Sequence, residues 1–318
     1  MKTIISRQKG RIIPVSDSGD VPGLMADNDN LTWIDLDKPT EDDFKWLSET
    51  FGFHDLALED AAKQKQRAKV ETYEDYFFIV AYGVKPGQNR AVDLIELYLF
   101  VGPNYLVSIR HEPFLPLDDL LGNGSQSRYL SRGPDFLLYA IMDMAVDTYF
   151  PAMERLDDSI DKLDRKVLER PAKDDIEHIL AVKKQLVFMR KHISPQRDVV
   201  NALISRDFPA INGETVIYFR DIYDHLMRLY DDIDFSRDQL ASQLDVYLSQ
   251  VSNNLNEVMK RLTVFASIFM PITFITGFFG MNFGYIQDRS PGWWIVITAF
   301  IAVIAWGNYW WFKKRDWL

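Results

Sequence analysis

The chain of 318 residues has no cysteine. That excludes a disulfide framework and any thiolate metal site, and removes the usual mark of an oxidising compartment. Histidine is scarce: the five, His54, His111, His178, His192 and His225, show no ligand-like spacing, so a soft-metal site within one chain is not expected. The start, Met1 to Arg11, carries Lys2, Arg7, Lys9 and Arg11 but no apolar core, and does not read as a signal peptide. No nucleophile–base pair, phosphate-cradling glycine loop or histidine cluster stands out, so neither an enzyme nor a catalytic cofactor is expected.

Charge of either sign is missing from two long stretches near the C-terminus. Leu262 to Met281 and Trp293 to Phe312 each run 20 residues without Asp, Glu, Lys, Arg or His. At ~1.5 Å per helical residue each covers roughly 30 Å, the thickness of a bilayer's hydrocarbon core. Lys260 and Arg261 precede the first stretch, and Lys313, Lys314 and Arg315 follow the second. Basic flanks stay on the cytoplasmic side, so the expected topology is two spans with both termini cytoplasmic in the inner (plasma) membrane. Residues 262–318 carry a net charge of +2 and the rest −12. An acidic soluble part disfavours nucleic acid and gathers cations near its surface, although acidity also serves plain solubility. Two helices cannot enclose a channel, so transport would need several copies around one axis.

The soluble part reads in two blocks. Residues 31–36, 76–84, 93–101 and 105–110 are short, aromatic and β-branched, and predict strands. Lys85 to Arg90 predicts a turn. Thr40 to Phe51, with Thr40 and Asp43 in capping-box positions, and His54 to Lys63 predict helices. This makes residues 1–133 an α/β domain. Residues 134–212 predict an antiparallel helix pair: Pro134 opens a segment over 135–169, Arg170-Pro171 breaks it, and Asp174 to about Ser205 returns. The dense charges of Met153 to Arg170 read as a solvated face laced with i,i+4 ion pairs rather than as a metal site.

Glycine and proline are absent between Gly213 and Pro271. Residues 213–281 therefore predict one stalk helix running into the first span; counted from Thr215 to Met281 it would be about 100 Å long. Leu244, Leu248, Val251, Leu255, Val258 and Leu262 recur at fours and threes and predict a packed face. Beside them run Asp245, Ser249, Ser252, Asn256, Met259, Thr263, Ala266, Met270, Thr273 and Gly277. Small and polar residues inside a bilayer face protein or water, so this second stripe predicts an axis-facing surface. Pro271 removes one backbone hydrogen bond and should bend the span. Residues 282–292 form the outer loop, 293–312 the second span and 313–318 a basic tail.

The first span ends in Gly280-Met281-Asn282. With Ser252 to Lys260 and Phe269 to Phe274 upstream, Tyr218 to His225 and Leu168 to Pro171 further back, and Lys313 to Leu318 at the end, the chain over residues 31–318 resembles the CorA family of divalent-cation channels. The resemblance implies a funnel-shaped homopentamer with an α+β cytoplasmic domain, long helices and two C-terminal transmembrane helices. It implies a pore lined by Asp245, Asn256, Met259, Leu262, Met270, Thr273, Gly277 and Asn282, with Gly280, Met281 and Asn282 as the selectivity motif. A ring of Asn282 carbonyls would orient a hydrated Mg2+ without binding it too tightly. Met259, Leu262 and Met270 would constrict the path, and Asp245 would gather cations. It further implies inward flux closed by cytoplasmic Mg2+ bound at Asp221. The family's partner acid lies near the hairpin, where Lys85 to Arg90 offers none and Asp93 is nearest.

Two features lean toward the zinc-transporting ZntB branch: Phe278-Phe279 before the motif, and Gly284 where magnesium transporters carry an acidic Met-Pro-Glu-Leu segment. The resemblance leaves three functions open. The first is a channel for Mg2+, with Co2+ and Ni2+ as further ions. The second is a proton-coupled Zn2+ transporter, and the third a membrane-anchored scaffold that conducts nothing.

Overall fold

The structure, a computed structural model, describes every residue except 1, 10, 86–91, 123–125, 170–171, 206–207, 209, 282–290, 316 and 318; at 126, 169, 173, 291 and 294 it describes the backbone alone. The turn predicted at Lys85 to Arg90, apart from Lys85 itself, the Arg170-Pro171 break, Asn282 and most of the outer loop therefore fall outside the described residues. The chain divides into two compact units, Met1–Arg165 with Lys173–Ser242, and Lys166–Ala172 with Gln243–Leu318.

The first unit is built on seven strands: β1 (Lys2–Gln8), β2 (Arg11–Pro14), β3 (Leu31–Asp37), β4 (Lys69–Thr72), β5 (Phe77–Lys85), β6 (Asp93–Val101) and β7 (Tyr105–Arg110). Their order is β2-β1-β3-β7-β6-β5-β4. Among the described residues only β3 and β7 run parallel, with Ile34 opposite Val107; the other pairings are antiparallel. Successive strand side chains point to opposite faces, and β3, β5 and β7 bury nearly all of theirs. Both faces of the sheet centre are therefore covered, which is why these strands read as continuous apolar runs.

Short helices α1 (Val21–Met25), α2 (Glu41–Phe51) and α3 (Asp55–Lys63) link the strands, and α4 (Leu115–Gly122) and α5 (Gln126–Leu130) follow the last of them. The capping box on α2 is present: Thr40 Oγ1 accepts from the Asp43 amide and Asp43 Oδ2 from the Thr40 amide. Gly52, at φ +64°, ends that helix in the left-handed region, which favours glycine.

The expected helix over 135–169 is two helices, α6 (Pro134–Asp147) and α7 (Tyr149–Glu169). Pro151 has no N–H to return to the Asp147 carbonyl four residues back, and just before it Thr148 Oγ1 donates to the Ala145 carbonyl at 2.6 Å. The same hydroxyl accepts the Val84 amide at 2.7 Å. On α8 (Lys173–Ser205), Gln196 accepts the Tyr82 amide at 2.7 Å and donates to the Tyr82 carbonyl at 3.1 Å. β4 pairs with β5 only as far as Val80, so these two side chains satisfy the strand edge that β4 leaves open.

One buried ion pair ties β3 to β7. Arg110 and Asp35 are 3% and 2% exposed and meet at 3.1 Å; Ser108 donates to Asp35 at 2.6 Å and Trp33 donates to Ser108 at 3.0 Å. Burial pushes the Asp35 carboxyl upward, while the Arg110 guanidinium and the Ser108 hydroxyl pull it back. Asp35→Ala leaves Arg110 paired with Asp118 alone, a 40% exposed carboxylate at 2.5 Å, and should lower unfolding stability by about 1–3 kcal/mol, read from the midpoint of a guanidinium titration.

Two long helices complete the chain: α9 (Gly213–Phe279), unbroken at Pro271, and α10 (Pro291–Lys314). Both contain a stretch long and apolar enough to cross a membrane.

Candidate ion pathway and metal cluster

In the second unit, α9 has two unlike sides. Val264 is 3% exposed, and Ile268, Pro271, Ile275 and Phe279, on the same face at spacings of three and four, are half-covered. The opposite face carries Asp245, Asn256, Met259, Met270, Thr273 and Gly277, all exposed in the single chain. These residues are exposed along α9, as is every residue from Ser252 to Thr263 around the helix.

Their chemistry is unspent as well. Thr263 and Thr276 turn their hydroxyls back onto the carbonyls of Met259 and Ile272, at 2.8 and 2.9 Å. The Thr273 hydroxyl, the Asn256 amide and the Asp245 carboxylate have no hydrogen-bond or ion-pair partner among the described residues. A methyl group added at Gly277 would meet nothing within 4 Å. Gly280 is different. It bonds to the Thr276 carbonyl at 2.9 Å, and a Cβ there would come to 3.0 Å from that oxygen, so the motif's glycine serves the tight end of the helix. Met281 is 54% exposed.

Of the face expected to be packed, Leu244 and Val251 are half-covered, while Leu248, Leu255, Val258 and Leu262 are 53–61% exposed. An apolar stripe of that length needs cover from lipid or from other chains. Leu262, in the packed stripe by spacing and in the pore lining by the resemblance, stands open with the others.

In the first unit, Asp143 and Asp147 on α6 and His225 on α9 bring their ligand atoms within 4.8 Å of one another. Spacing by four sets Tyr139, Asp143 and Asp147 along one side of α6, and Tyr139 donates to Asp143 at 3.3 Å. Burial, then the charge of Asp147, holds the Asp143 carboxyl above its ordinary range, and Asp221 adds to the crowding. His225 stands edge-on to Phe150 at 5.6 Å, and its Nδ1 is buried with no partner. A buried imidazole nitrogen in want of a partner, beside carboxylates that repel one another, fits a divalent cation. Two carboxylates and an imidazole suit Co2+, Ni2+ or Zn2+, and suit Mg2+ where water completes the shell.

Sequence reasoning named Asp221 but missed Asp143, Asp147 and His225. The available signal was a pair of acids four apart in a helix whose other positions are almost all buried. Asp93, the other residue expected there, opens β6 and lines a separate groove.

A sequence profile described as "CorA-like Mg2+ transporter protein" matches residues 28–314. The cobalt/magnesium transport protein CorA of Thermotoga maritima is 39% identical over 299 residues, 92% of this chain and 85% of the relative. The zinc transport protein ZntB of Yersinia enterocolitica is 27% identical over 98% of this chain and 93% of its own length. The complete structure of the CorA magnesium transporter of Methanocaldococcus jannaschii superposes with a TM-score of 0.84 at 24% identity, covering 100% of this chain and 99% of the other, and supports the same fold. Match, identity and fold agree, and the chain belongs to the CorA-like Mg2+ transporter family.

Proposed function

We propose that five copies assemble around their α9 helices into a divalent-cation channel of the inner membrane, with both termini cytoplasmic and Mg2+ as the principal ion. The observation that carries this reading is the open face from Asp245 to Gly277, which leaves Thr273 and Gly277 exposed inside the span, where an isolated helix would need apolar cover. Unpartnered side chains at Asp245, Asn256 and Thr273 would exchange hydrogen bonds with a hydrated ion. Asn282, from its place in the motif, would order the ion's water at the outer end. Methionines at 259 and 270 would let the path close by dewetting.

Regulation is assigned to the cluster. Cytoplasmic divalent cations bound by Asp143, Asp147 and His225, with Asp221 beside them, would hold the channel shut. That gives ligands of this chain the sensing role and dispenses with Asp93.

A Zn2+ transporter coupled to protons is the second reading, favoured by the imidazole in the cluster and by the zinc-transporting relative. Purified protein in vesicles separates the two. Mg2+ and Co2+ uptake driven by an inside-negative potential, without a pH gradient, is expected. Zn2+ uptake that needs the gradient and ignores the potential would transfer the assignment. A protein that moves none of these ions, and is indifferent to Thr273→Ala, would be the non-conducting anchor.

A further inference from the structure

A groove of about 1090 Å3 opens in the first unit, away from the metal cluster, between the α3–β4 loop, β5, β6 and α8. Its wall carries five cationic side chains against three carboxylates, on a chain whose net charge is −10. Four of those charges are already engaged. Lys85 pairs with Glu112; Arg190 pairs with Asp234 at 3.2 Å and lies over the Tyr230 ring; Glu96 accepts from the Lys65 amide and the Tyr98 hydroxyl. The side chains of Lys65, Arg67, Lys191 and Asp93 have no partner among the described residues, three cations against one carboxylate.

The loop that presents two of them is held in an unfavourable shape. Gln64 and Lys65 sit at φ +59° and +62°, a region costly for residues with a Cβ. Both Glu96 carboxylate oxygens, at 2.9 and 2.7 Å, accept the Lys65 amide, and the Tyr82 hydroxyl donates to the Gln66 carbonyl. Side chains from β5 and β6 thus pin a strained loop so that Lys65 and Arg67 share the groove wall with Lys191. Backbone strain maintained by neighbouring strands is characteristic of ligand clamps. Tyr82, Phe188 and His192 supply an aromatic wall beside the charges.

We infer that this groove binds a polyphosphate-type anion of nucleoside-triphosphate size. Phosphate oxygens would be held by the Arg67 guanidinium in a forked pair and by the Lys65 and Lys191 ammonium groups. The volume suits a ligand of that size, at the upper end of small-molecule pockets. This is independent of the transport assignment, since none of these residues belongs to the open face of α9 or to the Asp143 cluster.

The test is calorimetric titration of the detergent-solubilised full chain with ATP and, separately, with inorganic tripolyphosphate, both in EDTA. Saturable binding of either probe is expected, weakening with added salt. The pair Arg67→Glu and Lys191→Glu should weaken it at least about tenfold, while Asp143→Asn leaves it unchanged. The charge-reversed protein should keep the wild-type response of Tm to Co2+, which shows that it is folded. Tighter binding of ATP than of tripolyphosphate assigns the aromatic wall to the base, and equal binding assigns the site to the phosphates alone; both support the inference. Absence of binding for both probes, or binding untouched by the charge reversal, overturns it.

Discussion

Gly277→Leu should abolish divalent-cation uptake while leaving the folded protein at least as stable as before. A Cβ at 277 meets nothing within 4 Å in its own chain, so the first carbon of the new side chain finds open space. Replacing a helical glycine also favours the helix by up to about 1 kcal/mol. The open face is another matter. If copies surround a common axis, each leucine enters the path, and five together close it. A loss of about a hundredfold in initial rate corresponds to only about 2.7 kcal/mol of added barrier. Stopped-flow uptake with an entrapped metal-sensitive dye reads the rate, and a Tm measurement on the same preparation reads the stability. Unchanged uptake would mean that the face does not line the path, and the pore assignment would have to be withdrawn.

The second large effect concerns the cluster of Asp143, Asp147 and His225. In EDTA at neutral pH, Asp143→Asn should raise Tm by a few degrees, because it removes one of several carboxylates crowded without a compensating cation. The sign follows from the direction of the shift. A carboxyl held above its ordinary range contributes stability that is present at low pH and lost as pH rises through its folded value. The advantage of the variant should therefore vanish on acidification, where the wild-type carboxyl is itself neutral. Divalent metal should reverse the order. A ligand at a hundred times its dissociation constant stabilises by about 2.7 kcal/mol, so the wild type should gain several degrees in Co2+ while Asp143→Asn and His225→Ala gain little. If the three proteins respond alike, the cluster is not where the metal binds. In transport, the same two variants should continue to conduct at internal Mg2+ concentrations that close the wild type.

The parts legible in the sequence were those whose signal is local. Phe77 to Lys85 and Tyr105 to Arg110 are apolar almost without interruption because both faces of their strands are covered. The capping box at Thr40 and Asp43, and the long stretch without glycine or proline before Pro271, needed no partner to be read. β1, β2 and β4 were missed. Lys2–Gln8 and Lys69–Thr72 mix charge with apolar residues at only part of the alternation, and Arg11–Pro14 is too short to show a period. Long-range pairing, which a single sequence does not display, makes them strands. The break at Thr148 was legible in principle, since Pro151 stands in the first turn of α7.

The site divides along the same line. The polar stripe of α9 is a matter of spacing within one helix, and the sequence shows it whole. That its apolar companion at Leu248, Leu255, Val258 and Leu262 finds no cover in its own chain is a fact about the rest of the molecule. His225 could not be joined to Asp143 and Asp147 without knowing which face of α6 meets α9.

The way β5 is finished has a consequence for assembly. Gln196 presents an acceptor and a donor to Tyr82 as a neighbouring strand residue would, and Thr148 takes the next outward amide. An extended peptide seeking to add there would find the row already occupied. At that border, then, the stretch of β5 that runs on past β4 is closed to an added strand, and copies of the chain cannot join there by strand exchange.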